Sequence, residues 1–258
     1  NYGQGALFPL RHFAVDRKGD VWLASRPGHI LRVDGKTCRM EEFEVTGVGD
    51  EMSGSVSHFL LDPAERSILL IGRGGTKLVR VGLAPGGGKL AGQVVCDFAR
   101  LHPTLTGAGY LVADAQTNRL FGFFPHGPWG PGRVVRLASV DLGSGKMTYH
   151  GRLSVVNAEG YDPSAVWAAM ITREREIAFG GACLVRGFHS YGAKNGSGLF
   201  RVGPIETLLA RSPADQPSVP PSTAPAKPRP APKTPAPKFT VLTLDDVVPF
   251  GERAVTGL

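Results

Sequence analysis

The chain has 258 residues, 42% of them apolar, which is enough for a buried core. Its formal charge of +7 contains no run of Lys or Arg, which argues against the dense basic footprint of a nucleic-acid binder. No stretch reaches the roughly 20 apolar residues that a membrane-spanning helix needs.

One pattern recurs along the chain. His12–Ala24 reads HFAVDRKGDVWLA, His58–Gly72 reads HFLLDPAERSILLIG, Tyr110–Phe124 reads YLVADAQTNRLFGFF, and Ala168–Gly181 reads AAMITREREIAFGG. Each copy is a short apolar run, a polar turn and a second apolar run, the pattern of a β-hairpin. The turns centre on Asp16, Asp62, Asp114 and Thr172, at intervals of 46, 52 and 58 residues. A hairpin repeating at about 40–50 residues predicts a β-propeller with one four-stranded blade per repeat.

Taken in order, with strands A to D numbered outward, the first blade has A at 11–15, B at 20–24, C at 29–34 and D at 38–45. The second has A at 57–61, B at 67–71, C at 77–81 and D at 93–98. The third has A at 110–113, B at 119–123, C at 134–142 and D at 147–153. The fourth has A at 165–171, B at 176–179, C at 198–202 and D at 239–244. Ile205–Arg211 is the only helix-permissive stretch, and it is short. Residues 212–238 hold ten of the chain's 21 prolines, so this segment reads as an extended insertion between strands C and D of the fourth blade. Residues 251–258 match the lead-in and strand A of a further repeat.

The fold class is therefore all-β, a single propeller segment of four four-stranded blades plus the first strand of a fifth, belonging to a larger ring. The blades span about 11–45, 57–98, 110–153 and 165–244. An unclosed ring exposes sheet edges, so another chain or a missing segment is expected to complete it. The chain begins at Asn1 rather than Met and reads as processed, trimmed or a portion of a gene product.

The passage Asp16–Asp34, with its D-x-x-G-x-V-W hairpin followed by G-H-I-L-R-V-D, resembles the repeat of the streptogramin-lyase-like propellers. It is also similar to propellers of bacterial regulators and secreted proteins, which implies a secreted or periplasmic setting. The resemblance is good over the first blade and decays afterwards. It covers the fold repeat and no catalytic motif. It implies a site at the channel mouth, on the face built by the D–A and B–C loops. In the lyases it further implies a His and acidic residues with Mg²⁺ for elimination. Those acids have no placed counterparts here, since Asp and Glu fall in turns or, as with Glu41, Glu42 and Glu44, on outer strands.

On that face the candidate ligand-binding residues are His12, His29, His58, Arg73, Tyr110, His126, Trp129, His189 and Tyr191. His12 and His58 occupy the same repeat position, with Tyr110 as the third member. They are either a pair of metal ligands or histidines bonded to the backbone of the adjacent blade. Trp129, in the loop HGPWGP, suits stacking on a sugar or docking a partner, or else filling a gap between blades. Arg32, Arg80 and Arg201 recur on strand C and read as structural. Cys38, Cys96 and Cys183 have no metal spacing. They read as buried small residues, with a Cys38–Cys96 bridge between outer strands as the alternative. The Gly-rich runs lack a phosphate-loop context.

Two functions stay open. One is a non-catalytic binding or scaffold propeller engaging a protein or glycan, without cofactor. The other is a metal-assisted lyase with a divalent metal at the channel mouth. The lack of inward carboxylates favours binding.

Overall fold

The computed structural model describes residues 13–52, 56–72, 74–84, 88–127, 133–153, 161–185 and 196–210. Within these, the chain is a succession of antiparallel meanders. Strands β1 (Phe13–Val15), β2 (Val21–Ala24), β3 (His29–Val33) and β4 (Met40–Thr46) form the first blade. Strands β5 (Val56–Leu61), β6 (Ser67–Gly72), β7 (Lys77–Gly82) and β8 (Lys89–Asp97) form the second. Strands β9 (Tyr110–Asp114), β10 (Arg119–His126), β11 (Val134–Asp141) and β12 (Met147–Arg152) form the third. The fourth has β13 (Tyr161–Pro163) and β14 (Ala168–Ile171) side by side on β15 (Ile177–Val185), and β16 (Gly196–Val202) beyond it. This is the blade architecture of a β-propeller. The fourth blade's expected strand D, the Pro-rich segment 212–238 and the further strand at 251–258 lie outside the described residues. The first three blades form one compact unit. Residues from 152 onward, with 128–134, form another, and each is described by itself.

The A–B turns share one design. Asp16, Asp62 and Thr172 accept the backbone N–H of Gly19, Glu65 and Arg175 at 2.9, 2.9 and 3.2 Å. Those three residues adopt φ of +87°, +54° and +63°. The first side chain of each turn also accepts the N–H four residues on, from Asp20, Arg66 and Glu176 at 3.0, 2.9 and 3.2 Å. Threonine can replace aspartate at 172 because the turn asks only for a short side-chain oxygen.

Side chains alternate across each blade, so every strand contributes to two faces. Phe59, Ile68, Leu70, Val79 and Val81 of the second blade pack on Trp22, Ile30, Phe43 and Val45 of the first. The intervening Leu69, Ile71, Leu78 and Cys96 pack with Leu111, Leu120, Phe124 and Val140 of the third. In the first blade the register sets Phe13, Leu23 and Leu31 in one row, and Val15, Val21, Val33 and Met40 in the next. This is the face turned away from the second blade, and Phe13, Val15 and Met40 are exposed on it.

Strand C arginines tie blades together or brace their own. Arg32 grips Asp20 with Nε and Nη2 at 2.8 and 2.6 Å, and Asp20 in turn accepts Gly35 N–H at 3.0 Å. Arg201 faces Glu176 at 3.2 Å in the same position of the fourth blade. In the second blade that place holds the neutral Ser67, and Arg80 donates instead to the Leu142 carbonyl of the third blade at 2.6 Å.

Four expectations are corrected. Strand β10 runs through His126, so the B–C loop begins later than residue 125. Strands β15 and β16 pair out to Cys183↔Gly196, which turns both ends of the expected loop 180–197 into hairpin. The fourth blade's strand A starts at Tyr161 and is interrupted: its residues 164–167 stand opposite only Gly181 and Ala182 of the continuously paired β15, and a Cβ on Gly181 would meet the Ala165 carbonyl oxygen at 1.9 Å. Cys38 is an exposed turn residue with φ of +57°, off the outer strand, and is a free thiol, as is the buried Cys96. The single α-helix among the described residues is α1 (Ile205–Ala210), where the sequence permits one. No helix among the described residues is long and apolar enough to cross a membrane. The eight strands of the first two blades form one sheet, because β4 and β8 pair in parallel at Glu44↔Lys89, Val45↔Leu90 and Thr46↔Ala91.

Candidate functional site

The innermost strands β1, β5 and β9 lie beside one another and line a cavity of about 430 Å³. Its wall combines the side chains of Phe13, Val15, Phe59, Leu61, Tyr110 and Ala113 with polar groups, among them Asp62 and Glu65 at the turn end. Both carboxylates are engaged. Asp62 accepts Ser67 Oγ at 2.5 Å and Glu65 pairs with Arg17 at 3.1 Å. The other turn acids behave alike. Asp34 and Asp141 each accept two backbone N–H groups and a hydroxyl from Lys36–Thr37 and Gly143–Ser144, and those bonds hold both carboxyls below their ordinary range.

His58 and Tyr110 meet, as their shared repeat position suggests. The rings make an edge contact at 5.6 Å between centroids. His58 is buried, and its Nε2 lies 3.2 Å from the Ala108 carbonyl, which only accepts, so Nε2 carries the proton. That nitrogen bonds the backbone leading into the next blade. His12, its expected metal partner, lies outside the described residues. Among the described residues no three His, Cys, Asp or Glu side chains cluster as a metal site. His29 opens β3 at the B–C end of the first blade, where its Nδ1 donates to the Pro27 carbonyl at 2.9 Å. Arg73, Trp129, His189 and Tyr191 lie outside the described residues.

His126 is the candidate that acquires a setting. It ends β10, where the B–C connection of the third blade begins. Arg136, third residue of β11, follows that connection. His102 stands in the D–A connection between β8 and β9. All three therefore sit at the same end of the blades, the B–C and D–A face. His102 stacks on Tyr149 with ring centroids 4.4 Å apart, and its Nδ1 meets Thr104 Oγ1 at 2.7 Å. Both imidazoles are held below the ordinary histidine value, first by burial and then by the charge of Arg136. Nε and Nη1 of Arg136 and Nδ1 of His126 are buried without a hydrogen-bond partner. A guanidinium with two buried, unanswered N–H donors beside two imidazoles of lowered proton affinity suits the anionic oxygens of a carboxylate or sulfate.

Sequence reasoning missed His102 and Arg136. Arg136 carried a signal, as a lone cation in the apolar run VVRLASV of β11. His102 carried none, since only folding brings the D–A connection against the neighbouring blade.

No family model and no curated protein matches the sequence. Solved propellers match in outline. Hydrazine synthase from Kuenenia stuttgartiensis is 11% identical with a TM-score of 0.46, over 76% of this chain and 63% of that one. A chain of the nidogen/laminin complex is 12% identical with a TM-score of 0.45, over 74% and 70%. The Myceliophteria thermophila Cps50 (Swd1) β-propeller domain is 11% identical with a TM-score of 0.46, over 76% and 53%. This chain thus spans less than two thirds of the first and third of these structures. At such levels the fold is assigned from the strand pairing itself.

Proposed function

We propose that this chain is a binding propeller without catalytic chemistry of its own, gripping an acidic group of a protein or glycan on its B–C and D–A face. The observation that carries the reading is Arg136, whose buried Nε and Nη1 point to no acceptor. An unanswered buried donor is unfavourable by about 1–3 kcal/mol, more when charged. A bound carboxylate or sulfate would relieve that, and its negative charge would raise the proton affinity of His102 and His126. Binding then strengthens as the pH falls.

The test is calorimetric titration with poly-L-glutamate and with polygalacturonate, as protein-like and glycan-like carboxylate polymers, at pH 6 and pH 8. The expected result is binding of at least one polymer, tighter at pH 6, and weakened tenfold or more by Arg136→Gln, equivalent to about 1.4 kcal/mol. Equal affinity for the wild type and Arg136→Gln, or no binding of either polymer, refutes the reading.

A further inference from the structure

The strongest unexplained feature outside that site is the uncovered face of the first blade. The repeat aligns Phe13, Val15, Val21, Leu23, Leu31 and Val33 with Phe59, Leu61, Ile68, Leu70, Val79 and Val81. All six positions are apolar in both blades. In the second blade they pack against the preceding blade, and Ile68, Leu70, Val79 and Val81 are fully buried there. In the third blade the same positions include Leu111 and Leu120, which pack against the second. In the first blade Phe13 remains 54% and Val15 52% exposed. A contiguous apolar sheet face rimmed by the charged residues Glu42 and Glu44 marks a place for a partner.

What covers this face in the second blade is the opposite face of a neighbouring blade, carrying Ala14, Trp22 and Ile30. The chain also presents a face of that second kind. In the fourth blade, taken alone, the register places Met170 and Ala178 in one row and Ala168, Gly180 and Leu199 in the next. These are the positions of Ala14 with Trp22 and of Ala24 with Ile30. Met170 is 60% and Leu199 36% exposed. One chain thus carries both kinds of face, with Phe13 and Val15 exposed on one and Met170 and Leu199 on the other.

We infer that the first blade's face docks the fourth blade's Met170–Leu199 face of a second copy of this chain, head to tail. The joint is heterologous, so each copy uses one face of each kind, and two copies close a ring or further copies extend it. The occupant is a sheet of this chain's own repeat because the joint already made between the first and second blades uses the same repeat positions on both sides, with Met170 and Leu199 standing where Ala14 and Ile30 stand there.

The test uses the full chain in size-exclusion chromatography with light scattering. The wild type is expected at twice the chain mass or more, dissociating on dilution. Val15→Glu with Val33→Glu disables one face, and Met170→Glu with Leu199→Glu disables the other. Each variant alone is expected to be monomeric, and an equimolar mixture to form dimers containing one of each, since each retains the face the other lost. Should a double variant lose its far-ultraviolet β spectrum, Met40→Lys on one face and Leu199→Lys on the other replace it. A wild type that stays monomeric at all concentrations overturns the proposal, because the two faces then meet within one chain or meet other polypeptide. Variants that fail to complement in the mixture overturn it as well.

Discussion

Leu70 and Leu23 hold the same repeat position in consecutive blades, one covered and one not, and truncating each measures what a covering blade contributes. Leu70 is fully buried between the first and second blades. Leu70→Ala removes its isobutyl contacts and leaves a void in a packed core, a loss of about 2–5 kcal/mol. Leu23 is half-buried on the open face, so Leu23→Ala forfeits only part of its transfer energy, on the order of 1 kcal/mol. Urea unfolding at low micromolar protein reads the difference. With a slope of about 2 kcal/mol per molar urea, a loss of ~3 kcal/mol shifts the midpoint by roughly 1.5 M, against about 0.5 M for Leu23→Ala. Raising the protein concentration should leave the Leu70→Ala loss unchanged and enlarge that of Leu23→Ala, because association stabilises only the folded chain. Equal losses at low concentration would show that the face at Leu23 is already covered within the monomer, and the reasoning from exposed faces would fail.

Lowering the pH should destabilise the fold through His102 and His126. Their folded proton affinities lie below the unfolded ones, so their contribution is intact above pH of about 6.5 and lost as the pH falls through the folded values. Arg136→Gln should raise both imidazole titrations in ring-proton nuclear magnetic resonance, and an unmoved titration would remove Arg136 from the cluster. Alkylation followed by peptide mass mapping should label Cys38 quickly in the native protein. Cys96, whose thiol burial pushes up to about 12, should react only on unfolding. Gly181→Ala should destabilise by about 1–3 kcal/mol, because the added carbon meets a backbone carbonyl that no side-chain rotation can clear. A neutral Gly181→Ala in thermal unfolding would contradict the close approach of the Ala165 carbonyl to β15.

The strands were legible because their alternation is enforced on both faces. Leu69 and Leu70 point to different neighbours, so neither can become polar without opening a core, and the hairpin copies stay readable at 46- to 58-residue intervals. Turn chemistry was readable for the same reason, down to Thr172 standing in for aspartate. Strand ends were less so. Nothing in Pro125–His126 announces that β10 continues past Phe124, since only its ladder partners make that path favourable. His58 and Tyr110 meet because they share a repeat position. His102, His126 and Arg136 share none, so neither spacing nor repeat phase foretells their meeting, and only His126 drew notice as a residue type in a distinctive loop.

The parallel ladder between β4 and β8 has a consequence for how the molecule opens. Isolated blades would present their outermost strands as separate edges, each free to fray independently. Here residues 44–46 and 89–91 lock the rims of two blades, while β1 and β5, at the opposite ends of the same sheet, lie against each other. The sheet therefore wraps its core as one continuous hydrogen-bonded ladder from β1 to β5, and neither blade can detach without breaking the seam it shares with the other. Native-state amide exchange should find these two blades opening as one cooperative unit, with the amides at the β4–β8 seam as slow as those of β6. In the third blade, β12 ends its sheet, and its amides should exchange by fraying at the rim. The repeat then supplies equivalent blades, and this seam makes two of them thermodynamically one.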